Sequence, residues 1–120
     1  MARYPRAFED RKTLWTGMNT LLPNLTGDWI GSYPGHYDEV VCITQHGDWL
    51  HARKITGDDH VPAGEITWRA NAVTLEGEGQ IAEKEFRSPR FIPGRLVIHS
   101  EERIEFIWEH LGAVEYRRDD

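Results

Sequence analysis

The sequence contains little of what several common classes of protein depend on. Its 120 residues include a single cysteine, Cys42, so an intramolecular disulfide is impossible and a reducing compartment is favoured. No apolar run approaches the roughly 20 residues that a membrane-spanning helix needs, and no signal-peptide core follows the first residues. We therefore expect a cytoplasmic protein without a membrane segment.

Positive charge is also in short supply. Lysine and arginine number 14 against 20 acidic residues, which gives a formal net charge of -6. Nucleic acids and anionic membranes both select a basic surface. The charge balance therefore argues against either of them as a partner.

The motifs of the common catalytic and metal sites are missing as well. There is no CxxC, no HExxH and no GxSxG, and the six histidines are scattered along the chain. Cys42 lies in the apolar stretch Val40–Ile43, where a small buried side chain is more usual than a nucleophile. We predict no catalytic residues, no metal and no cofactor, although folding could gather His46 and His51 across a hairpin.

What the sequence does have is a series of short segments with alternating polarity. From Gly27 onward, runs such as Glu39–Gln45 and Arg103–His110 alternate in polarity and are separated by turn residues. Five Trp, four Tyr and four Phe supply a core. Closing such a sheet removes its exposed edges. The sequence therefore predicts an all-β fold, a small closed or nearly closed antiparallel β-barrel of about eight strands.

The side-chain alternation assigns an inner and an outer face to the longer strands. Ile104, Phe106 and Trp108 share one face of the last long strand. On an earlier strand both faces carry apolar residues, with Val41 and Ile43 opposite Val40 and Cys42. The second apolar face suggests that this strand lies under another element or in a homodimer contact.

The first 24 residues follow a different pattern. Apolar side chains recur near helical spacing, and Pro23 would end a helix. We predict one short amphipathic helix in a segment 1–24, from about Ala7 to Thr20, and a β-barrel domain over residues 25–120. The apolar face of that helix could cap a barrel end, pack on the barrel wall or contribute to a dimer.

Three segments are more specific than ordinary turns. They contain Trp29, Gly31, Tyr33, Gly35 and Glu39, then Lys54-Ile55-Thr56-Gly57-Asp58 with Pro62-Ala63-Gly64, then Phe106, Trp108 and Leu111. In this order they resemble the β-barrel domain of the cyclin-D-binding F-box protein family, which the chloroplast EXECUTER proteins share. No F-box is present, so the resemblance implies the binding barrel without ubiquitin chemistry. Stand-alone bacterial versions are similar to the peptide-binding accessory proteins of crocagin-type pathways.

The resemblance implies recognition of the C-terminal end of a peptide. Apolar walls with a few orienting polar groups suit such a site. Lys54 could pair with a terminal carboxylate, Asp58 could accept an amide N–H, and Thr56 could do either, so a free acid and an amide both stay open. The predicted peptide-binding residues are Trp29, Tyr33, His36, Lys54, Thr56, Asp58, Phe91 and Trp108.

The resemblance to these accessory proteins implies a non-catalytic protein that guides modification of a ribosomal precursor peptide. A peptide-modifying enzyme would be its natural neighbour. A lipocalin-like carrier of a small molecule is the alternative function, and an isomerase or cyclase using the barrel interior is a third. We expect alanine at Lys54 or Asp58 to weaken peptide binding and leave the fold intact.

Overall fold

The computed structural model describes residues 23–32 and 38–119, which form a closed antiparallel barrel of eight strands. A 3-10 turn, Lys84–Phe86, lies between the fifth and sixth strands. The strands are β1 (Gly27–Ser32), β2 (Glu39–His46), β3 (Trp49–Lys54), β4 (Ile66–Asn71), β5 (Glu76–Glu83), β6 (Arg87–Ile98), β7 (Arg103–Trp108) and β8 (Gly112–Arg118). The predicted all-β barrel is confirmed, whereas the predicted N-terminal helix falls outside the described residues.

Each strand pairs with the next in sequence, and pairing of β1 with β8 closes the barrel. Closure leaves no sheet edge along most of the wall. Nowhere in residues 23–32 and 38–119 is there a helix long and apolar enough to cross a membrane.

The barrel interior is filled by aromatic side chains. Trp29, Trp68, Phe106 and Tyr116 are all fully buried. Trp68 stacks on Phe106 with 4.8 Å between ring centroids, and its indole N–H donates to the Tyr116 hydroxyl at 3.1 Å. That hydrogen bond satisfies a polar group which would be costly to bury alone.

The predicted strand faces agree with the observed burial. Ile104, Phe106 and Trp108 are buried on the inner face of β7. On β2, Val41 is buried while Val40 and Cys42 on the opposite face are half-buried.

Two glycines on the inner face of β5 allow close packing. A Cβ at Gly77 would lie 2.0 Å from the backbone carbonyl oxygen of Arg69, and one at Gly79 would lie 2.2 Å from the indole nitrogen of Trp108. Neither position has room for a side chain, which explains glycine within a strand.

Because successive strands are antiparallel, their connections alternate between the two ends of the barrel. One end, the loop end, carries the connections 55–65, 84–86 and 109–111. β1 also ends there, at Ser32, and β2 begins there, at Glu39. The opposite end carries the start of β1, the end of β8 and the remaining turns. Arg118 ties the two chain ends together there by donating from Nη1 to the Thr26 carbonyl oxygen at 2.9 Å.

Candidate functional site

A pocket of about 360 Å³ opens at the loop end. Its apolar lining includes Val61, Ile81, Trp108 and Val114, and Leu111 stands at the rim with 65% of its surface exposed. This volume falls within the range of sites that hold small ligands or the end of a chain. The pocket is the candidate functional site.

A buried ion-pair cluster forms the polar part of this site. The Lys54 ammonium lies 2.7 Å from Oε1 of Glu39 and 3.0 Å from Oδ2 of Asp58, and the lysine side chain is only 2% exposed. Side chains alternate between the two faces of a strand, so Glu39 shares the inner face of β2 with Val41 and Lys54 shares the inner face of β3 with Ala52. This alternation brings the two charged side chains together inside the barrel. We call Glu39, Lys54 and Asp58 the acid–lysine cluster.

Asp58 also organises the loop that carries it. Its Oδ1 accepts the backbone N–H groups of His60 and Val61, both at 2.7 Å. Burial acts to raise the pKa of this carboxyl, but the two backbone hydrogen bonds and Lys54 outweigh it and lower the pKa to about 2. The pKa of Glu39 is instead raised, because burial outweighs its contact with Lys54.

Thr56 and Gly57, the other two residues of the Thr56-Gly57-Asp58 motif, also stabilise the loop. The Thr56 hydroxyl accepts the backbone N–H of Val40 at 3.0 Å. A Cβ at Gly57 would lie 2.2 Å from the backbone nitrogen of Ala63, so the two halves of the loop pack directly together. The motif therefore shapes the loop wall of the pocket.

The structure brings three predicted site residues together at the pocket, namely Lys54, Asp58 and Trp108. Lys54 and Asp58 are engaged with each other, so the expectation that either can be removed without cost to the fold is revised. Trp108 donates its indole N–H to the Gln80 carbonyl oxygen at 3.3 Å.

The other predicted site residues lie elsewhere. Thr56 is exposed on the adjoining loop. Trp29 is buried in the core, with its indole N–H on the Leu25 carbonyl oxygen at 2.9 Å. Phe91 lies on β6 with the Arg69 guanidinium 4.5 Å above its ring, and does not line the pocket. Tyr33 and His36 are outside the described residues.

Sequence reasoning missed two contributors to the site. Glu39 was recognised only as a matching residue, although its place on the apolar face of β2 signals a buried charge that needs a partner. His60 belongs to the site because its Nδ1 lies 2.8 Å from the Ala82 carbonyl oxygen. No local sequence pattern indicates this contact.

Groups that resemble metal ligands lie away from the pocket. His46 and His51 do meet across the β2–β3 hairpin, with stacked rings 4.5 Å apart. In the described part of the chain, a set of three ligand-type groups occurs only at His99, Glu105 and Glu115 on the outer wall. None of these residues lines the pocket.

Comparison with known proteins identifies the family of this chain. The sequence model of the cyclin D1 binding domain matches residues 12–118. The chain belongs to the cyclin D1 binding domain family. This confirms the family to which the three segments pointed.

Two plant proteins illustrate the family. Protein EXECUTER 2, chloroplastic, from Oryza sativa subsp. japonica is 29% identical over a region covering 75% of this chain and 19% of that protein. Protein EXECUTER 1, chloroplastic, from Arabidopsis thaliana is 31% identical over 71% of this chain and 15% of that protein. The chain thus spans less than a fifth of the length of these relatives.

The charge of Asp58 should make stability depend on pH. Asp58→Asn keeps an acceptor for the loop N–H groups but loses the ion pair with Lys54. Because the folded pKa of about 2 lies below the ordinary value of 3.8, the ionised carboxylate stabilises the fold above pH 3.8, and this contribution disappears as pH falls towards 2. We expect urea denaturation to show the wild type more stable by about 2 kcal/mol at pH 6 and the difference to shrink towards pH 2.

The control for this comparison is Asp38→Asn, which removes an exposed ion pair with Arg117. The raised pKa of Glu39 acts in the opposite direction. The Asp58 carboxylate is one of its causes, so Asp58→Asn is expected to lower the pKa of Glu39 and to offset part of the measured difference. A stability difference between wild type and Asp58→Asn that stays constant from pH 6 to 2 would contradict the assigned role of the charge.

Proposed function

We propose that this chain is a non-catalytic peptide-binding protein that takes the C-terminal region of a peptide into the loop-end pocket. The observation that carries the proposal is the combination of apolar walls with Lys54 and Asp58 of the acid–lysine cluster in one cavity. Apolar walls bury side chains, and a few fixed polar groups orient the ligand. Membership of a family named for a binding domain supports a binding role.

The charges of the cluster favour a neutral peptide end. One ammonium already faces two carboxylates, and burial raises the pKa of Glu39. Keeping both carboxylates ionised in this site is therefore already unfavourable for Glu39. A terminal carboxylate would add a third acid beside Lys54, whereas an amide would offer N–H donors to the partly exposed Asp58. We therefore propose a preference for a C-terminal amide over a free acid.

The biological setting follows from the resemblance to stand-alone peptide-binding accessory proteins. In this proposal the protein acts in the cytoplasm and presents a ribosomal precursor peptide to a modifying enzyme in natural-product biosynthesis. Tyr33 and His36 remain predicted contacts for that peptide. The half-buried outer face of β2, with Val40 and Cys42, remains the predicted contact of a homodimer.

The test is titration calorimetry with a pentapeptide library prepared in three forms: free acid, C-terminal amide, and extended at the C-terminus. We expect the amides to bind at least about tenfold more tightly than the acids and the extended forms to bind weakly. Tighter binding of the acids would overturn the preference for a neutral end. No binding by any form would overturn the proposed function.

A pair of matched variants locates the binding site on the barrel. Leu111→Asp changes an exposed apolar turn residue at the pocket rim, and Val73→Asp changes an equally exposed one, 74% accessible, at the opposite end. Leu111→Asp should weaken peptide binding about tenfold, because apolar contact is lost and a charge is brought near the ligand. Equal affinity in both variants would place the peptide elsewhere.

A further inference from the structure

The ladder between β4 and β5 is the shortest in the barrel. It contains three residue pairs and ends at Trp68↔Gly79 on the side of the loop end. Both strands continue past that pair, since β4 begins at Ile66 and β5 runs to Glu83. The wall is therefore open between these two strands where the pocket lies.

The open edge of β5 has its backbone acceptors turned into the pocket. The carbonyl oxygen of Gln80 accepts the indole N–H of Trp108, and that of Ala82 lies 2.8 Å from Nδ1 of His60. All four residues line the pocket. Residues two apart on an antiparallel strand direct N–H and C=O to the same side. The two side chains thus contact carbonyl oxygens on the edge of β5 that β4 does not pair.

The side chain of Gln80 supplies a second sign of a missing partner. Gln80 is 9% exposed, and its Oε1 has no hydrogen-bond partner among residues 23–32 and 38–119. Buried polar atoms normally find a donor. The unpaired Oε1 is therefore an unsatisfied acceptor in the wall beside this opening.

We propose that the peptide binds as an extended strand along the open edge of β5, at Gln80–Ala82, through main-chain hydrogen bonds. The inference rests on the proposed function and adds how the ligand is recognised. An unpaired strand edge is a template for an additional strand, and the peptide main chain carries the matching donors and acceptors. Carbonyl oxygens have two lone pairs, so peptide N–H groups can bind alongside Trp108 and His60.

This mode of binding has a specific consequence for the ligand. Alternate residues of an extended peptide direct their N–H groups to β5, and the residues between them direct theirs away. The ligand class is therefore an extended peptide with an unsubstituted main chain. A compact small molecule would not show such a period of two.

The experiment is an N-methyl scan of the tightest pentapeptide from the library, measured by titration calorimetry on the full chain. Replacing a backbone N–H by N–CH₃ at positions that face β5 should weaken binding about tenfold, because one donor is lost and one acceptor is left unpaired. Methylation at the intervening positions should change affinity about twofold or less.

Amide hydrogen exchange followed by NMR gives the location. The amides of Gln80 and Ala82 should exchange more slowly with peptide bound, and those of Val73 and Thr74 should be unaffected. If the unmodified peptide binds tightly but the effect of N-methylation does not alternate along it, the strand mode alone is overturned. The strand mode is also overturned if the effect alternates but the amides of Gln80 and Ala82 are not protected. Failure of every unmodified peptide to bind would overturn the proposed function as well.

Discussion

Replacing Lys54 with Met is expected to lower the free energy of unfolding by about 3–5 kcal/mol, the usual cost of breaking a buried ion pair. Methionine keeps an apolar stem of similar length but removes the ammonium. Glu39 and Asp58 would then lie near each other in a largely buried site without the ammonium that contacts both. Urea denaturation at pH 7, followed by tryptophan fluorescence, measures the change.

Two further variants separate the buried pair from a general loss of charge. Arg103→Met removes an exposed ion pair with Glu115 and should change stability by less than about 1 kcal/mol. Adding Glu39→Leu to Lys54→Met should recover part of the loss, because one uncompensated carboxylate is replaced by an apolar group. A cost of less than about 1 kcal/mol for Lys54→Met alone would mean that water reaches the cluster.

The second large effect concerns the two glycines of β5. Gly77→Ala is expected to destabilise the barrel by about 3 kcal/mol or more, since the added Cβ meets the backbone of Arg69, which belongs to the paired strand. Gly79→Ala should cost about 1–3 kcal/mol, because the added Cβ meets the side chain of Trp108 and no backbone atom is among its nearest contacts. Thermal and urea denaturation of both variants gives the comparison.

A double-mutant cycle with Trp108→Phe tests the assigned contacts. The smaller ring should relieve the strain of Gly79→Ala, so that the two changes together cost less than their sum. It should leave the cost of Gly77→Ala unchanged, because Trp108 is not among the atoms nearest to that position. Equal rescue of both alanine variants would contradict this packing.

The sequence could predict much of the barrel, because strand alternation and turn residues are local properties. The inner face of β7, with Phe106 and Trp108, follows from period two alone. Phe91 was misplaced by the same kind of reasoning, since its position depends on pairing with Gln80 across β5 and β6. A register shift between Ile81 and Glu83 on β5 changes which residues face inward, and no local pattern signals it.

The candidate site was predictable only in part for a related reason. Lys54 and Asp58 were identified as polar groups free to bind a ligand, but each already holds the other. Their partner Glu39 lies on a different strand, β2. Only the folded structure shows that the three charged groups contact one another. The gap between β4 and β5 likewise depends on where two distant segments cease to pair.

Both chain ends of the barrel emerge on the side away from the pocket, with Arg118 bound to Thr26. A domain built in this way can be placed within a longer polypeptide as a cassette, since β1 begins and β8 ends at the end of the barrel opposite the pocket. The EXECUTER proteins, in which the matched region is less than a fifth of the chain, are consistent with such modular use. For protein engineering, the same geometry makes the far end the natural point for fusing a reporter or a second binding module.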